Sequence, residues 1–328
     1  MKKKLITLTA AGILFTGIAL GQQKLDVQGH RGGMGLMPEN TIASMLNGVK
    51  LGVKTLELDV LITKDGKVVV SHDPYMAADF MLKPDGSAIT KEEQMGLALY
   101  QMTYDSISHF DAGSKPHPHF PGQARFKTYK PLLNDLIDSV EAYVKKNKLK
   151  PVYYNIETKS SQTGDAKYNP APEVFVNTMM EVLRRKNLGK RLTIQSFDIR
   201  TLQVLHKTDP KVRLSLLAFG KDMAAELKKQ GLSAEDEKKI QAAILAYGKG
   251  GVEEDIRKLG FTPEVYSPYY TSVDAALVKK VHEAKMQILP WTVDEVKDMK
   301  ALGDLGVDGI ITNYPDRLIK LYGSYQTK

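Results

Sequence analysis

The chain has 328 residues, a formal net charge of +8, 42% hydrophobic residues and no cysteine. This length suffices for one large hydrophobic core, and the lack of thiols excludes disulfides, thiolate catalysis and cysteine-ligated metals. The positive charges are spread out, and basic runs such as residues 145–148 are typical of solvated helix ends. A nucleic-acid partner is therefore not expected.

The N-terminal 22 residues have the pattern of a signal peptide. Three lysines at positions 2–4 precede an apolar stretch to about residue 20, and residues 19–21 offer a signal peptidase small side chains. An uncleaved anchor is the alternative, but the stretch is short for a membrane span. The sequence therefore predicts an exported protein of the bacterial periplasm. Its mature domain covers residues 23–328, without stable membrane insertion.

Short β-branched runs alternate with helical patterns along the mature chain. Eight strands are predicted, at residues 25–29, 55–60, 152–157, 192–196, 212–218, 264–267, 287–291 and 308–312. Helical patterns lie between most of them, at residues 41–51, 132–146, 172–186, 199–207, 224–258, 273–284 and 293–302. This alternation predicts an α/β fold, a closed (β/α)8 TIM barrel with right-handed crossovers. An open doubly wound sheet is the alternative, but it would not explain why so many strands end in polar residues.

One apolar run, residues 68–71, follows the extended run that continues the second strand to residue 63, after only four residues. A parallel neighbour needs a crossover of a dozen or more residues, so this run must return antiparallel. Asp-Gly is typical of a two-residue hairpin turn, and with Asp65 and Gly66 at the tip, Asp59 lies opposite His72. The second barrel strand is therefore expected to carry a hairpin extension that returns His72 to the barrel mouth.

Two segments are longer than ordinary loops. Residues 75–130 are rich in glycine, proline, histidine and aromatic residues, with a helix-like patch near residues 91–108. They are expected to form an insertion on the face where barrel enzymes carry their loops. Its His117 and His119 fit either a specificity pocket or a surface loop. Residues 220–262 are mostly helical and charged, which predicts an enlarged crossover without chemistry.

Three carboxylates are expected to converge at the barrel mouth. Glu57 and Asp59 lie two residues apart on one strand and therefore share a face, while Glu157 ends another strand. Carboxylates in one pocket repel each other unless protons or a cation separate them. If a lysine or arginine neutralised them, the cluster would be a structural ion network. Three converging oxygens instead favour a hard divalent cation, Mg²⁺ or Ca²⁺, over zinc.

Two histidines and an arginine complete the candidate site. His30 precedes Arg31, whose guanidinium matches a phosphate, and a Gly-Gly pair follows that allows close approach of a ligand. His30 and His72 could flank a phosphate as base and acid, because their ordinary pKa lies near neutral pH. Phe197 follows a predicted strand and Trp291 ends one, and both residues fit either a substrate wall or the core. This set of residues predicts an enzyme that acts on a phosphate ester.

These motifs resemble those of the glycerophosphodiester phosphodiesterases, a family of (β/α)8 barrels. The matching motifs follow the family order over nearly the whole mature chain: His30-Arg31-Gly32, Pro38-Glu39-Asn40-Thr41, Glu57-Leu58-Asp59, Lys64-Asp65-Gly66, His72-Asp73-Pro74, Asn155-Ile156-Glu157-Thr158-Lys159, Gln195-Ser196-Phe197, Trp291-Thr292-Val293 and Asp308-Gly309-Ile310-Ile311-Thr312. The resemblance implies metal-dependent hydrolysis of small anionic glycerophosphodiesters to glycerol 3-phosphate and an alcohol.

The resemblance also implies a role for each site residue. His30 and His72 look like the acid–base pair, and Arg31 and Lys159 look like the phosphate clamp. The metal ligands, for one Ca²⁺ or Mg²⁺, would be Glu57, Asp59 and Glu157. Phe197 and Trp291 are assigned to substrate binding. No oligomeric state is predicted.

Two alternatives and two departures accompany the resemblance. A phospholipase C- or D-like enzyme would act on intact lipid and would need an exposed apolar rim, which aromatic and methionine residues of the insertion could supply (Phe80, Met81, Phe110 and Phe120). A non-enzymatic barrel would lack a histidine or a metal carboxylate, and none is missing. Residues 75–79 depart from the Arg-Thr-Thr segment of many relatives, and Asn313 stands where an aspartate is common.

Overall fold

The computed structural model describes residues 25–219 and 251–326. The predicted signal peptide and most of the predicted crossover at residues 220–262 lie outside these ranges. In the described ranges, no helix has both the length and the apolar character needed to cross a membrane.

The described strands form one sheet in which eight run parallel. Their bounds are β1 Asp26–Gly29, β2 Thr55–Ile62, β3 Val68–Val70, β4 Tyr153–Thr158, β5 Leu192–Ser196, β6 Arg213–Ala218, β7 Val265–Pro268, β8 Gln287–Ile288 and β9 Gly309–Thr312. The parallel strands follow the order β8-β7-β6-β5-β4-β2-β1-β9, and β3 pairs antiparallel with β2. Asp308 N–H donates to Ile288 O (3.1 Å) and Ile311 N–H to Pro290 O (3.0 Å), which joins the two ends. The sheet is thus a nearly closed barrel, and the predicted fold class is confirmed.

Helices cover the outside of this barrel. The described α-helices are α1 Ile42–Leu51, α2 Lys91–Gln94, α3 Tyr104–Ser108, α4 Leu133–Lys146, α5 Pro172–Arg184, α6 Ile199–Thr208, α7 Val252–Leu259, α8 Ala275–Glu283, α9 Val296–Asp304 and α10 Pro315–Tyr322. In α4, apolar residues recur at helical spacing and are all buried (Leu133, Leu136, Ile137, Val140 and Val144). The sequence pattern did not predict α10, which begins with a proline in its first turn.

Strand β2 positions the candidate site because its two faces differ in chemistry. All eight of its residues are buried, as expected for a barrel strand covered on both faces. Leu56, Leu58 and Val60 belong to the main core between sheet and helices. Because side chains alternate along a strand, Glu57 and Asp59 point the opposite way, into the barrel.

The hairpin extension exists, but its predicted register was wrong by one residue. Val60 pairs with Val70, and the Ser71 N–H donates to Asp59 O at 3.0 Å. Asp59 therefore lies opposite Ser71 rather than His72. His72 follows the hairpin and still returns to the barrel mouth.

The cause of this shift is a three-residue turn in place of the expected two-residue turn. Thr63 N–H donates to Lys67 O (2.9 Å), so these two residues close the ladder. Gly66 has a φ of +68°, the left-handed conformation that ends a three-residue hairpin loop. Asp65 Oδ1 accepts hydrogen bonds from Thr63 Oγ1 (2.7 Å) and Tyr104 N–H (2.9 Å), which stabilise the wider turn.

The insertion at residues 75–130 builds a second, smaller core. Its buried apolar side chains include Met76, Met81, Leu99 and Ile107, and they pack on the hairpin residue Val69. The predicted helix-like patch consists of α2, a 3₁₀ turn at Leu99–Gln101 and α3. The insertion is therefore a packed unit attached to the hairpin, next to the barrel mouth.

Candidate active site

The barrel brings the three predicted carboxylates together. Glu57 and Asp59 come from β2, and Glu157 comes from β4, where it is the register partner of Asp59. One oxygen from each residue lies within 4.8 Å of the others, and all three residues are buried. The Asp59 Oδ1 atom is buried and accepts no hydrogen bond from any residue of the described ranges. A set of carboxylate oxygens with one atom unbonded fits a hard divalent cation.

The carboxylates of this cluster differ in the direction of their pKa shifts, because burial and like charges raise a carboxyl pKa whereas nearby positive charges lower it. Burial and the negative charge of Asp59 raise the pKa of Glu57 well above its ordinary value. Burial alone would raise the pKa of Asp59 too, but the positive charges of His72, Lys159 and Arg31 hold it below its usual range. Asp59 is therefore the charged centre of the cluster at neutral pH.

Arg31 links the first strand to these carboxylates. It lies in a short 3₁₀ turn after β1 with a left-handed φ of 50°, and its N–H donates to Glu57 Oε2 at 2.7 Å. Its guanidinium donates to Glu39 Oε2 (3.0 Å) and lies 3.5 Å from Asp59 Oδ2. A Cβ on the next residue, Gly32, would lie 2.8 Å from the backbone carbonyl carbon of Ser44, and Gly32 has a φ of +85°, so the turn needs glycine there.

Amide side chains that were not predicted fix the orientation of the carboxylates. Asn40 donates from Nδ2 to Asp59 Oδ2 (2.8 Å) and accepts from the Asp59 N–H (3.2 Å). Gln195 Nε2 donates to Glu57 Oε1 at 2.9 Å from strand β5. The available signal was their place in the quoted motifs, Asn40 in Pro38-Glu39-Asn40-Thr41 and Gln195 at the end of a predicted strand.

His30 has a fixed tautomer in this structure. Its Nδ1 lies 2.5 Å from Asn313 Oδ1, and the Asn313 amide is oriented by donating to Asp294 Oδ2 at 2.7 Å. The amide oxygen can only accept, so Nδ1 carries the proton and Nε2 keeps a lone pair. Desolvation and the adjacent Arg31 charge lower the pKa of His30 to about 3, and the imidazole is neutral at pH 7.

His72 has a charged partner instead. Its Nδ1 lies 2.9 Å from Asp73 Oδ1. Desolvation raises the pKa of Asp73, but the hydrogen bond and charge of His72 outweigh it and hold that pKa below its usual range. The segment is held by Ser71 Oγ, which donates to Asp73 O (2.8 Å) and accepts from Lys130 Nζ (2.7 Å). The Asp73 carboxylate therefore fixes the orientation of the His72 ring through Nδ1.

Lys159 lies at the same barrel mouth, next to the carboxylates. Lys159 Nζ donates to Glu157 Oε1 (2.7 Å) and lies 3.9 Å from Asp59 Oδ1. Burial lowers the pKa of Lys159, but these two carboxylates outweigh it and raise the pKa. Lys159 is therefore a cation.

An aromatic cluster stands at the carboxyl ends of strands β5 to β8. Phe197 and Trp291 meet edge to face with ring centroids 5.3 Å apart. Phe219 stacks on Phe197 at 4.3 Å, and Tyr269 lies 5.3 Å from Trp291. Trp291 is held by an Nε1–H donation to Ser267 O at 2.8 Å. The two predicted aromatic residues thus belong to one cluster.

Comparison with known proteins gives a consistent result. Residues 30–317 match the model of the glycerophosphoryl diester phosphodiesterase family. A glycerophosphodiester phosphodiesterase from Caldanaerobacter subterraneus subsp. tengcongensis is 29% identical over 300 residues, which cover 91% of this chain and 98% of that relative. A solved protein from Silicibacter pomeroyi, assigned as a glycerophosphoryl diester phosphodiesterase, is 27% identical with a TM-score of 0.76, covering 92% of this chain and 96% of that one.

A second solved structure comes from a more distant relative. It is an Oleispira antarctica phosphodiesterase in complex with the product sn-glycerol-3-phosphate, 20% identical with a TM-score of 0.64, covering 90% of this chain and 96% of that one. At this identity the likeness concerns the fold. The family match over residues 30–317 and the relative from Caldanaerobacter subterraneus confirm the predicted relationship and enzyme class. The chain belongs to the glycerophosphoryl diester phosphodiesterase family.

Proposed function

We propose that this enzyme hydrolyses glycerophosphodiesters to glycerol 3-phosphate and an alcohol such as choline or ethanolamine, with the help of one divalent cation. The observation that carries the proposal is the cluster of three buried carboxylates beside two histidines and an arginine at the barrel mouth. The family match supports the substrate class, and so does the relative solved with sn-glycerol-3-phosphate.

Glu57, Asp59 and Glu157 would hold the cation, Ca²⁺ or Mg²⁺. The bound ion supplies Lewis-acid polarisation of the phosphoryl group. The alternative is a structural ion network in which Arg31 and Lys159 neutralise the carboxylates. The buried, unbonded Oδ1 of Asp59 favours the cation, because a closed ion network would satisfy that oxygen.

Arg31 and Lys159 would bind the phosphate oxygens. Both are cations held against the carboxylate cluster, at 3.5 Å and 3.9 Å from Asp59 oxygens. Positive groups that are already ordered stabilise charge that grows on a phosphoryl group without further reorganisation.

The two histidines would divide the proton transfers between them. His30 keeps its Nε2 lone pair and is neutral at pH 7, which suits a base that takes a proton from the nucleophile. His72, with the ionised Asp73 on its Nδ1, suits an acid that gives a proton to the leaving alcohol. Phe197 and Trp291 would contact the carbon skeleton of the substrate.

The alternative of a lipid-directed enzyme is not supported by the insertion. Phe80, Met81 and Phe110, which could have formed an apolar rim, are buried in the insertion's own core. Only Phe120 of that set is partly exposed.

A direct assay tests the proposed function. The purified protein, loaded with Ca²⁺ or Mg²⁺, should release glycerol 3-phosphate from glycerophosphocholine, and a chelator should abolish the release. Full activity in chelator would remove the cation from the mechanism. Turnover of micellar phospholipid without turnover of glycerophosphocholine would replace the proposal by the lipid-directed alternative.

We also propose export to the periplasm through the signal peptide at residues 1–22. The support is the sequence pattern of three lysines, an apolar stretch and small residues. N-terminal sequencing of the protein from a periplasmic extract should begin near Gln22 or Gln23. Recovery from the cytoplasm with an intact N-terminus would refute export.

A further inference from the structure

Lys130 is a buried cation that the proposed mechanism does not use. It is 5% exposed and stands at the end of the insertion, just before α4. Its Nζ donates to Ser71 Oγ at 2.7 Å, and no carboxylate of the described ranges lies within 4.0 Å of it. An ammonium has three donor hydrogens, so hydrogen-bonding capacity is left over in a buried place.

Glu39 has the complementary property. It is 6% exposed, and its Oε2 accepts from Arg31 Nη1 at 3.0 Å. Its Oε1 is buried and accepts no hydrogen bond from the residues that the structure describes. A buried polar atom without a hydrogen-bond partner is destabilising, so such an atom calls for an explanation.

Both groups are connected to Asp59 through one intervening residue. Ser71, which accepts from Lys130, donates its N–H to Asp59 O at 3.0 Å, and Arg31, which binds Glu39, lies 3.5 Å from Asp59 Oδ2. Burial lowers the pKa of Lys130, and Glu39 is the negative charge that opposes this most, ahead of Asp73. Arg31 joins Glu39 to the carboxylate cluster through Asp59. Lys130 and Glu39 are thus close enough to interact electrostatically, but they form no direct hydrogen bond. They lie between the insertion and Arg31.

The insertion also supplies an apolar boundary for this place. The ring of Phe80 lies 5.8 Å from Lys130 Nζ, and His117 stacks on Phe80 with centroids 5.1 Å apart. The imidazole of His117 accepts from the His119 N–H at Nδ1 (3.2 Å) and is buried. His117 is therefore part of the packed insertion, whereas His119 is exposed.

We propose that Glu39 and Lys130 recognise a hydroxyl group of the substrate's glycerol. The hydroxyl would donate to Glu39 Oε1 and accept from Lys130 Nζ, and a hydroxyl is a small neutral group that can do both. A phosphate oxygen would be repelled by Glu39, and an ammonium would be repelled by Lys130. The inference rests on the proposed function, since it names the part of a glycerophosphodiester that this pair would bind.

A pair of phosphate monoesters isolates the hydroxyl. sn-Glycerol 3-phosphate and n-propyl phosphate share the phosphate and the three-carbon chain, but only the first carries hydroxyls. Calorimetric titration of the metal-loaded protein should give about 10- to 100-fold tighter binding of glycerol 3-phosphate than of propyl phosphate. The Lys130→Met variant should lose most of this preference.

The variant Lys127→Met serves as the matched control, because it removes an exposed lysine of the same segment. It should keep the preference for glycerol 3-phosphate. Thermal unfolding checks that Lys130→Met is folded, and Lys130→Gln, which is smaller and polar, replaces it if it is not.

The outcomes separate this inference from the proposed function. If Lys130→Met weakened the binding of glycerol 3-phosphate and of propyl phosphate equally, Lys130 would bind the phosphate or support the fold. That result would overturn the inference. So would a wild-type protein that binds both ligands equally well. Failure of the wild type to hydrolyse any glycerophosphodiester would refute the proposed function itself, whatever the binding preference.

Discussion

The contact between His30 and Asn313 allows a quantitative test of the base. His30 Nδ1 lies 2.5 Å from a neutral amide oxygen, and the nearest carboxylate behind it is Asp294, one hydrogen bond further away. The double variant Asn313→Asp/Asp294→Asn exchanges these two groups. It keeps the net charge and the hydrogen bond between them, and it places the carboxylate directly on the imidazole.

The expected shift follows from this geometry. An opposite charge in direct contact favours the protonated imidazole and raises its pKa by about 1–3 units. The pKa of His30, about 3 in the wild type, should therefore move to between about 4 and 6. Because a base must be unprotonated to act, the acidic limb of kcat/KM should move upward in pH by the same amount.

The assay is the pH dependence of kcat/KM at saturating metal. The single variant Asn313→Asp is the control, because it puts two carboxylates in contact. They would share a proton, which reduces the shift at His30. An acidic limb in the double variant that coincides with the wild-type limb, with an unchanged unfolding temperature, would show that His30 is not the base.

Four further predictions test other parts of the structure. His72→Ala should lower kcat by at least ~10²-fold with unchanged circular dichroism, and a wild-type rate would remove His72 from the mechanism. In Asn40→Gly, glycine can adopt the left-handed backbone of this position, but Asp59 loses the hydrogen bond that orients it. Calorimetry should therefore show about 10- to 100-fold weaker metal binding, and an unchanged affinity would contradict this. Trp291 is the chain's single tryptophan, and its fluorescence should change when glycerol 3-phosphate binds. An unchanged spectrum would place the aromatic cluster away from the ligand. Gly66→Val meets no neighbouring atom but imposes a left-handed β-branched residue, so urea unfolding should show a loss of about 1–2 kcal/mol, and an unchanged midpoint would argue against the three-residue turn.

The parts of the site that follow from periodicity could be predicted from the sequence. The spacing of two between Glu57 and Asp59 places both inside the barrel, and parallel strands bring the end of β4, with Glu157, to the same mouth. These inferences need only local geometry and the closure of the sheet. The presence of the hairpin follows in the same way, from a connection too short for a parallel crossover.

The parts that depend on long-range side-chain contacts could not be predicted. Asn313 meets His30 across 283 positions of sequence, and a neutral amide carries no charge pattern that would reveal this. The hairpin register was missed because Asp-Gly fits turns of two or three residues. The choice depends on contacts of Asp65 with Thr63 and with the distant Tyr104. Lys130 reaches the site only through the path of a long insertion, which no local pattern specifies.

The hydrogen bond from the Arg31 N–H to Glu57 has a consequence for how the site is assembled. The donating peptide joins His30 to Arg31, so the residue proposed as base and one of the phosphate-binding residues share a backbone tether to a carboxylate of the cluster. A carboxylate that loses its charge is a weaker acceptor, and the tether weakens with it. The ionisation of one buried glutamate thus bears on the placement of two residues that it does not touch through their side chains. The binding of a proton or a cation at Glu57 and the alignment of His30 are therefore linked through one short stretch of chain.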